Sequence, residues 1–218
     1  MDFKGQTVLV TGANRGLGRV FAAELVQRGA KVYGGARRAE SIVDEGVVPV
    51  QLDVTDDASV AAAAKELGDT TIVINNAGVL VAGDDVDSIK AEFEVNFYGL
   101  VRTTDAFAPV LKTNGGGVIV NVLSILSFVG RAQWRGYAAS KAAGWSFTKS
   151  AREALREQGT RVIAVHAGFI DTDMVSEIDA PKITPQDVVS QVLRAIENGD
   201  DEVLADERTR AVKAALSA

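Results

Sequence analysis

Gln6-Thr7-Val8-Leu9-Val10-Thr11-Gly12-Ala13-Asn14-Arg15-Gly16-Leu17-Gly18 decides how the rest of the chain is read. Its first five residues form a short β-branched and apolar run, and beyond the glycines Val20, Phe21, Leu25 and Val26 recur at helical spacing. Strand, glycine-rich turn and helix together suit a phosphate cradle. Glycine lets backbone approach a pyrophosphate, and the helix start offers free N–H groups and the positive end of a dipole. The spacing is Gly-x3-Gly-x-Gly, not G-x-G-x-x-G, and a sharp turn with no ligand would use the same residues. The stretch therefore takes its weight from the chain beyond it.

Downstream the same alternation is repeated. Apolar runs at 30–35, 47–52, 71–74, 118–123, 161–165 and 202–205 read as strands. Between them lie helical patterns at 57–65, at 88–112, around Tyr137 to about 158, and at 185–198, with a further helix at the end. Strands alternating with helices predict an α/β fold: a Rossmann-type, doubly wound parallel sheet in three layers. With no linker, repeat or low-complexity segment, residues 1–218 are expected to form a single domain.

The totals exclude several classes of function. With 23 basic and 29 acidic residues the net charge is −6, which disfavours a nucleic-acid or anionic membrane surface. There is no cysteine, so disulfides and thiol nucleophiles are out, and a single histidine, His166, leaves little for a metal site. His166, at a strand end, reads as a packed or capping imidazole. No apolar run is long enough to span a bilayer and the start carries no signal-peptide pattern, so a cytoplasmic protein is expected.

In a doubly wound sheet, ligands bind beyond the C-terminal strand ends. That edge collects the glycine turn, Ala36-Arg37-Arg38, Asp53, Asn75-Asn76-Ala77-Gly78, Ser124 and the loop after His166. About 20 residues past a glycine turn a carboxylate would take the adenosine ribose hydroxyls. Ala36 has none, whereas Arg37 and Arg38, with Arg15 in the turn, offer cations suited to a 2′-phosphate; NADP(H) is favoured and NAD(H) remains possible. Asp53 either accepts from the adenine amino group or orients its turn. Asn96 falls among the inner positions of the 88–112 helix (Phe93, Phe97, Leu100, Val101) and must find partners for its amide. Tyr137 and Lys141 stand at i and i+4 on one helix face, and Ser124 lies thirteen positions before Tyr137 at the end of an apolar run. Hydroxyl, phenol and ammonium together suit proton transfer to a carbonyl oxygen. The ammonium is expected to pull the phenol below its ordinary pKa near 10.

This ordered set, TGANRGLG, Asp53, NNAG, Asn96, Ser124 and the Tyr137/Lys141 pair, resembles the classical short-chain dehydrogenase/reductase family over nearly the whole chain. The resemblance implies hydride transfer between a nicotinamide and a carbonyl or alcohol carbon. It makes Tyr137 the general acid in reduction, has Ser124 polarise the carbonyl oxygen, sets Lys141 on the nicotinamide ribose and gives Asn96 a water-linked relay. It places the cofactor along Gly12, Asn14, Arg15, Gly16, Leu17 and Gly18, then Arg37, Asp53 and Val54. Asn76, Ala77 and Gly78 carry it to Tyr137 and Lys141, with Gly168, Ile170 and Thr172 closing from the far side. No metal is implied.

Two departures bear on substrate. Ala167-Gly168 stands where the family has Pro-Gly, so that loop's path is expected to be less fixed, and the 174–183 segment is short, so the lid is expected to be reduced. Leu126, Phe128, Trp134, Phe169 and Met174 are expected to line an apolar pocket for a small hydrophobic ketone, aldehyde or alcohol. A homodimer or homotetramer through the helices near Phe97 and Trp145 is expected. The readings that stay open are an NADPH-dependent carbonyl reductase, an NAD-dependent alcohol or hydroxysteroid dehydrogenase, and a catalytically silent dinucleotide sensor.

Overall fold

The structure, a computed structural model, describes residues 2–83 and 85–216. Seven strands form one sheet: β1 (Thr7–Thr11), β2 (Lys31–Ala36), β3 (Val47–Gln51), β4 (Ile72–Asn75), β5 (Gly117–Val122), β6 (Thr160–His166) and β7 (Glu202–Leu204). They lie in the order β3-β2-β1-β4-β5-β6-β7, and every pair is parallel. The strand order reverses between β1 and β4, where a crevice opens at the C-terminal edge.

Period-2 alternation splits the sheet's apolar residues between two cores. Val8, Val10, Ile72, Ile74, Val118 and Val120 face helices α1 (Gly16–Gln27) and α6 (Pro185–Asn198). Leu9, Val73 and Ile119 point the other way, onto Val60 of α2 (Asp57–Glu66), Phe107 and Leu111 of α4 (Gly99–Thr113) and Ala151 of α5 (Arg135–Leu155). Each such fully buried side chain contributes roughly 1.5–3 kcal/mol, which fixes strand register because a one-residue slip would turn every side chain outward.

Local signals set the helix ends. Asp56 accepts from Ala58 N at 2.9 Å to cap α2, and Thr184 caps α6, which starts on Pro185 and ends at left-handed Gly199. The helix expected over 88–112 is corrected. It comprises α3 (Val86–Phe93), a π-turn (Glu94–Tyr98) and then α4, running on without a break. One extra residue in the turn shifts the face by about 100° at 3.6 residues per turn, and an apolar periodicity does not register it. Helix α7 (Glu207–Ala215) closes the chain. No helix among the described residues is long and apolar enough to cross a membrane.

Candidate active site

The β1 turn and the β4 turn are locked to each other. Thr11 Oγ1 accepts from the N–H groups of Asn76 and Ala77, both at 3.0 Å, and donates to Ile74 O. Asn76 Nδ2 donates to Thr11 O at 2.9 Å and Gly12 O at 3.2 Å. Gly18 is needed for this closeness: a Cβ there would sit 2.2 Å from Gly12 O and 2.4 Å from Asn76 Nδ2. Gly12 has φ +67° and turns the chain where Ala77 Cα would lie 3.1 Å from an added Cβ. Asn75, one residue earlier, points into the sheet-helix layer and donates to Asn121 Oδ1 and Thr104 Oγ1.

A cleft of about 610 Å³ runs from this turn along the strand ends. Gly12, Asn14, Arg15, Gly16, Leu17, Arg37, Asp53, Val54, Asn76, Ala77, Gly78, Ser124, Tyr137, Lys141, Gly168, Ile170 and Thr172 all line it. Two of the expected residues do not. Gly18 lies beneath the turn as a packing glycine, and Asn96 is buried behind the wall. Ser41, Thr55, Val79, Asp173 and Val175 line the cleft without having been singled out in the sequence; Ser41 sits in a short turn whose position follows only from β2 and β3 pairing.

At one end the cleft is cationic. Arg15, Arg37 and Arg38 are exposed there, and Ala36 is nearly buried. Asp53 turns its Oδ1 to Thr55, accepting from N at 3.0 Å and from Oγ1 at 2.7 Å. Burial raises its pKa, but the Thr55 donors and the Arg37 charge outweigh burial, so the carboxyl is held below its usual value. This carboxylate orients its own turn and has one oxygen left over.

At the other end stand the titratable groups. Ser124 follows β5 and caps a short turn, its Oγ accepting from Leu126 N at 3.1 Å. Tyr137 stands beside Ser124 on the cleft wall, close enough for the serine hydroxyl to act on its pKa. Lys141 is buried, and its Nζ donates to Val122 O at 3.0 Å and lies 5.6 Å from the Tyr137 ring centre. A Cβ on Gly78 would come within 3.5 Å of that Nζ, so glycine keeps the ammonium's way open.

The expectation that Lys141 lowers the Tyr137 pKa is corrected. Burial pushes the phenol up to about 12; the Ser124 hydroxyl pulls it back, and the Glu92 carboxylate pushes it further up. Lys141 is itself drawn down to about 8 by burial, and its ammonium is aimed at a carbonyl. Each group loses its water before it gains a charged partner, so desolvation outweighs the pair's attraction. Part of the Tyr137 ring still opens on the cleft, and solvent there tempers the rise.

Asn96 sits within the π-turn. Its Oδ1 accepts from Val79 N at 2.8 Å, and its Nδ2 donates to Val79 O at 2.9 Å and Ser140 Oγ at 3.1 Å. Ser140 in turn donates to Tyr137 O at 2.8 Å. Both amide protons of Asn96 are thus engaged in fastening the β4 loop to the helix that carries Tyr137. π-turns of this kind concentrate at functional sites.

The loop after β6 departs from expectation. Although Ala167 replaces proline, the turn is tethered: Gly168 N donates to Asp206 Oδ2 at 2.7 Å, and Ile125 N donates to Ala167 O at 2.8 Å. The short lid is closed at its base by Ile183 N to Phe169 O and Asp171 N to Ile183 O, both 2.9 Å. Of the five expected pocket residues only Met174 lines the cleft. Trp134 and Phe169 pack edge to face at 5.8 Å, and Phe128 is stacked on His166 at 4.2 Å. Aromatics beside a cleft bury more surface against one another than against its open mouth.

Fold and cleft define a dinucleotide-binding α/β protein, and the comparisons make the class specific. The family model described as short chain dehydrogenase matches residues 6–183. The chain is 34% identical over 188 residues to the 3-oxoacyl-(acyl-carrier-protein) reductase FabG of Salmonella typhimurium, covering 80% of this chain and 77% of that protein. An uncharacterized oxidoreductase of Myxococcus xanthus is 33% identical and covers 91% of this chain and 86% of that protein. The crystal structure of a short chain dehydrogenase from Burkholderia cenocepacia J2315 in complex with NADP superposes with a TM-score of 0.95 at 41% identity, covering 100% of this chain and 95% of that one. The chain belongs to the short-chain dehydrogenase/reductase family and is an NAD(P)-dependent oxidoreductase acting on CH–OH or C=O groups.

Proposed function

We propose that the chain is an NADPH-dependent carbonyl reductase acting on a hydrophobic ketone or aldehyde, with Tyr137 as the proton donor. One observation carries the reading: Ser124, Tyr137 and Lys141 stand together on the wall of the same cleft that begins at Arg15, Arg37 and Arg38. The cradle residues fit a dinucleotide. Positive-φ Gly12 and Gly16 keep side chains out of the turn, and three arginines with no acid at Ala36 suit a ribose 2′-phosphate. When bound, the nicotinamide supplies the hydride.

The chain's own groups then do the rest. Ser124 Oγ donates to the carbonyl oxygen and holds it in line, and Tyr137 delivers a proton to that same oxygen. A phenol held near 12 keeps its proton at neutral pH, which suits reduction; oxidation would need the scarce phenolate. Lys141, drawn to about 8, exchanges a proton close to neutrality and would hold the nicotinamide ribose from the cleft wall. Asn96 fastens this wall from behind, where a water-linked relay would begin. Relatives named as 3-oxoacyl reductases support a ketone substrate. Pairing of copies across the surface formed by Phe93, Phe97, Tyr98 and Phe147 would give a homodimer or homotetramer.

The test is a panel of ketones, aldehydes and 3-oxoacyl thioesters followed by NADPH absorbance, with NADH alongside. NADPH is expected to give the higher kcat/KM, and Arg37→Asp to lower the NADPH:NADH ratio about 10- to 100-fold, the range of a charge-assisted contact. A variant that keeps the full NADPH preference places the phosphate elsewhere.

A further inference from the structure

His166, the chain's only histidine, takes no part in this proton transfer, yet it is wholly buried at the end of β6 next to Ser124. Its Nδ1 lies 2.8 Å from Ser127 Oγ and 3.3 Å from Ser124 O. Ser127 Oγ itself donates to Ser124 O at 2.5 Å. These contacts fit the tautomer with the proton on Nδ1. The Ser124 carbonyl only accepts, and with the Ser127 proton on it at 2.5 Å, Ser127 Oγ is left to accept from His166 Nδ1–H. The other ring nitrogen, Nε2, is buried without a hydrogen-bond partner, 3.5 Å from Glu202 Oε1. That carboxylate is neutralised by Lys213 Nζ at 2.8 Å, and the ring is held flat by Phe128 and edge-on by Trp145.

We propose that His166 is a positioning residue for Ser124: through Nδ1–H and Ser127 it holds the oxygen edge of the Ser124–Ile125 peptide, and with it the Cα that carries the Ser124 hydroxyl beside Tyr137. This rests on the proposed catalytic roles of Ser124 and Tyr137. Ser124 is extended, with φ −161° and ψ 160°, and its Oγ hangs on a Cα held between the two peptide groups that flank it. The neighbours on either side are already tied by Leu123 N to Val165 O and Ile125 N to Ala167 O, both 2.8 Å. The Ser124 carbonyl and Ile125 N belong to one peptide group, so Ala167 holds that group by its N–H while Ser127 and His166 hold it by its oxygen. Glu202 of β7 and Lys213 of α7 form the back wall, so the C-terminal elements reach the reacting hydroxyl through one ring.

A buried histidine also fills space, and two substitutions separate the roles. His166→Phe keeps the stacked ring and loses the Nδ1 donor; His166→Asn loses the ring and keeps an amide donor near Nδ1. Positioning predicts that His166→Phe lowers kcat about 10- to 100-fold, the usual penalty for a reacting group displaced by around an ångström. NADPH Kd by fluorescence titration stays within about twofold, since neither His166 nor Ser127 lines the cleft. His166→Asn recovers most of the loss in kcat. Wild-type kcat in His166→Phe, or an Asn variant slower than the Phe variant, overturns the proposal. Should the histidine variants not fold, Ser127→Ala decides: it is expected to show the same kcat loss, and unchanged turnover refutes the link. Tyr137→Phe run in parallel keeps the two readings apart. If it turns over normally the catalytic assignment fails, whereas an inactive Tyr137→Phe beside a fully active His166→Phe sinks the positioning role alone.

Discussion

The two ends of the cleft are built on different physical principles. The glycine-turn end is backbone locked to backbone: Thr11 and Asn76 staple two strand ends, and Gly12 and Gly18 let them touch. Its charges, on Arg15, Arg37 and Arg38, stand in solvent. The Ser124 end is side chain locked to side chain, with Lys141 and His166 buried and drawn toward their neutral forms and the half-open Tyr137 phenol pushed the same way. Shape is therefore set by sterics at one end and proton affinity by desolvation at the other. Substitutions at the two ends should fail in different ways.

The largest effect is expected where backbone meets backbone. In Gly18→Ala the new methyl would stand 2.2 Å from Gly12 O, which belongs to a turn with no flexible tip to give way. Overpacking of this kind costs about 3 kcal/mol and should weaken NADPH binding together with Tm. Gly68→Ala is the matched control, because nothing lies within 4 Å of its added Cβ. If Gly18→Ala lost stability yet bound NADPH as before, the staple would be separable from the cradle.

The same contrast explains what the sequence discloses. Strands, helices and the glycine turn are legible because they are local: apolar runs, the Thr184-Pro185 start and the Gly199 stop of α6 each sit within a few residues of what they cause. The residues of the cleft are legible as positions, since parallel strands deliver their ends to one edge. Their chemistry is not. That Tyr137 is pushed up and not down depends on Glu92 and on burial by distant segments. Asp206, 38 positions from Gly168, carries no motif, and neither does the Ser127–His166 pair. The π-turn at Asn96 escapes because periodicity averages over it.

A smaller effect probes desolvation directly. The unfolded chain protonates His166 near 6.5, whereas burial holds the folded ring down at about 4 despite the Ser124 hydrogen bond and the Glu202 charge; Lys213 adds to the lowering. Between those values the unfolded state binds more protons, so stability is complete above pH 6.5 and is lost as pH falls toward 4. The loss amounts to on the order of 2 to 3 kcal/mol. Urea unfolding at pH 7 and pH 4.5 should show a steeper decline for the wild type than for His166→Asn. Parallel declines would mean that the ring titrates normally and is wetter than its packing implies.

The smallest expected effect sets one helix cap against another across the cleft. Asp56 caps α2 and Asp206 caps α7, accepting from Thr209 N at 2.9 Å, so replacing either with Ala should cost about 1 kcal/mol. On a chain of this size that lowers Tm by about 2–4 °C. Only Asp206 also accepts from Gly168 N, at 2.7 Å, and so holds the loop that passes the proposed catalytic wall. Asp206→Ala should therefore reduce kcat/KM several-fold beyond what Asp56→Ala does, with both assayed well below their melting points. Equal kinetics in the two variants would mean that the Ala167-Gly168 turn holds its path by packing alone, and that the tether from α7 serves stability and not turnover.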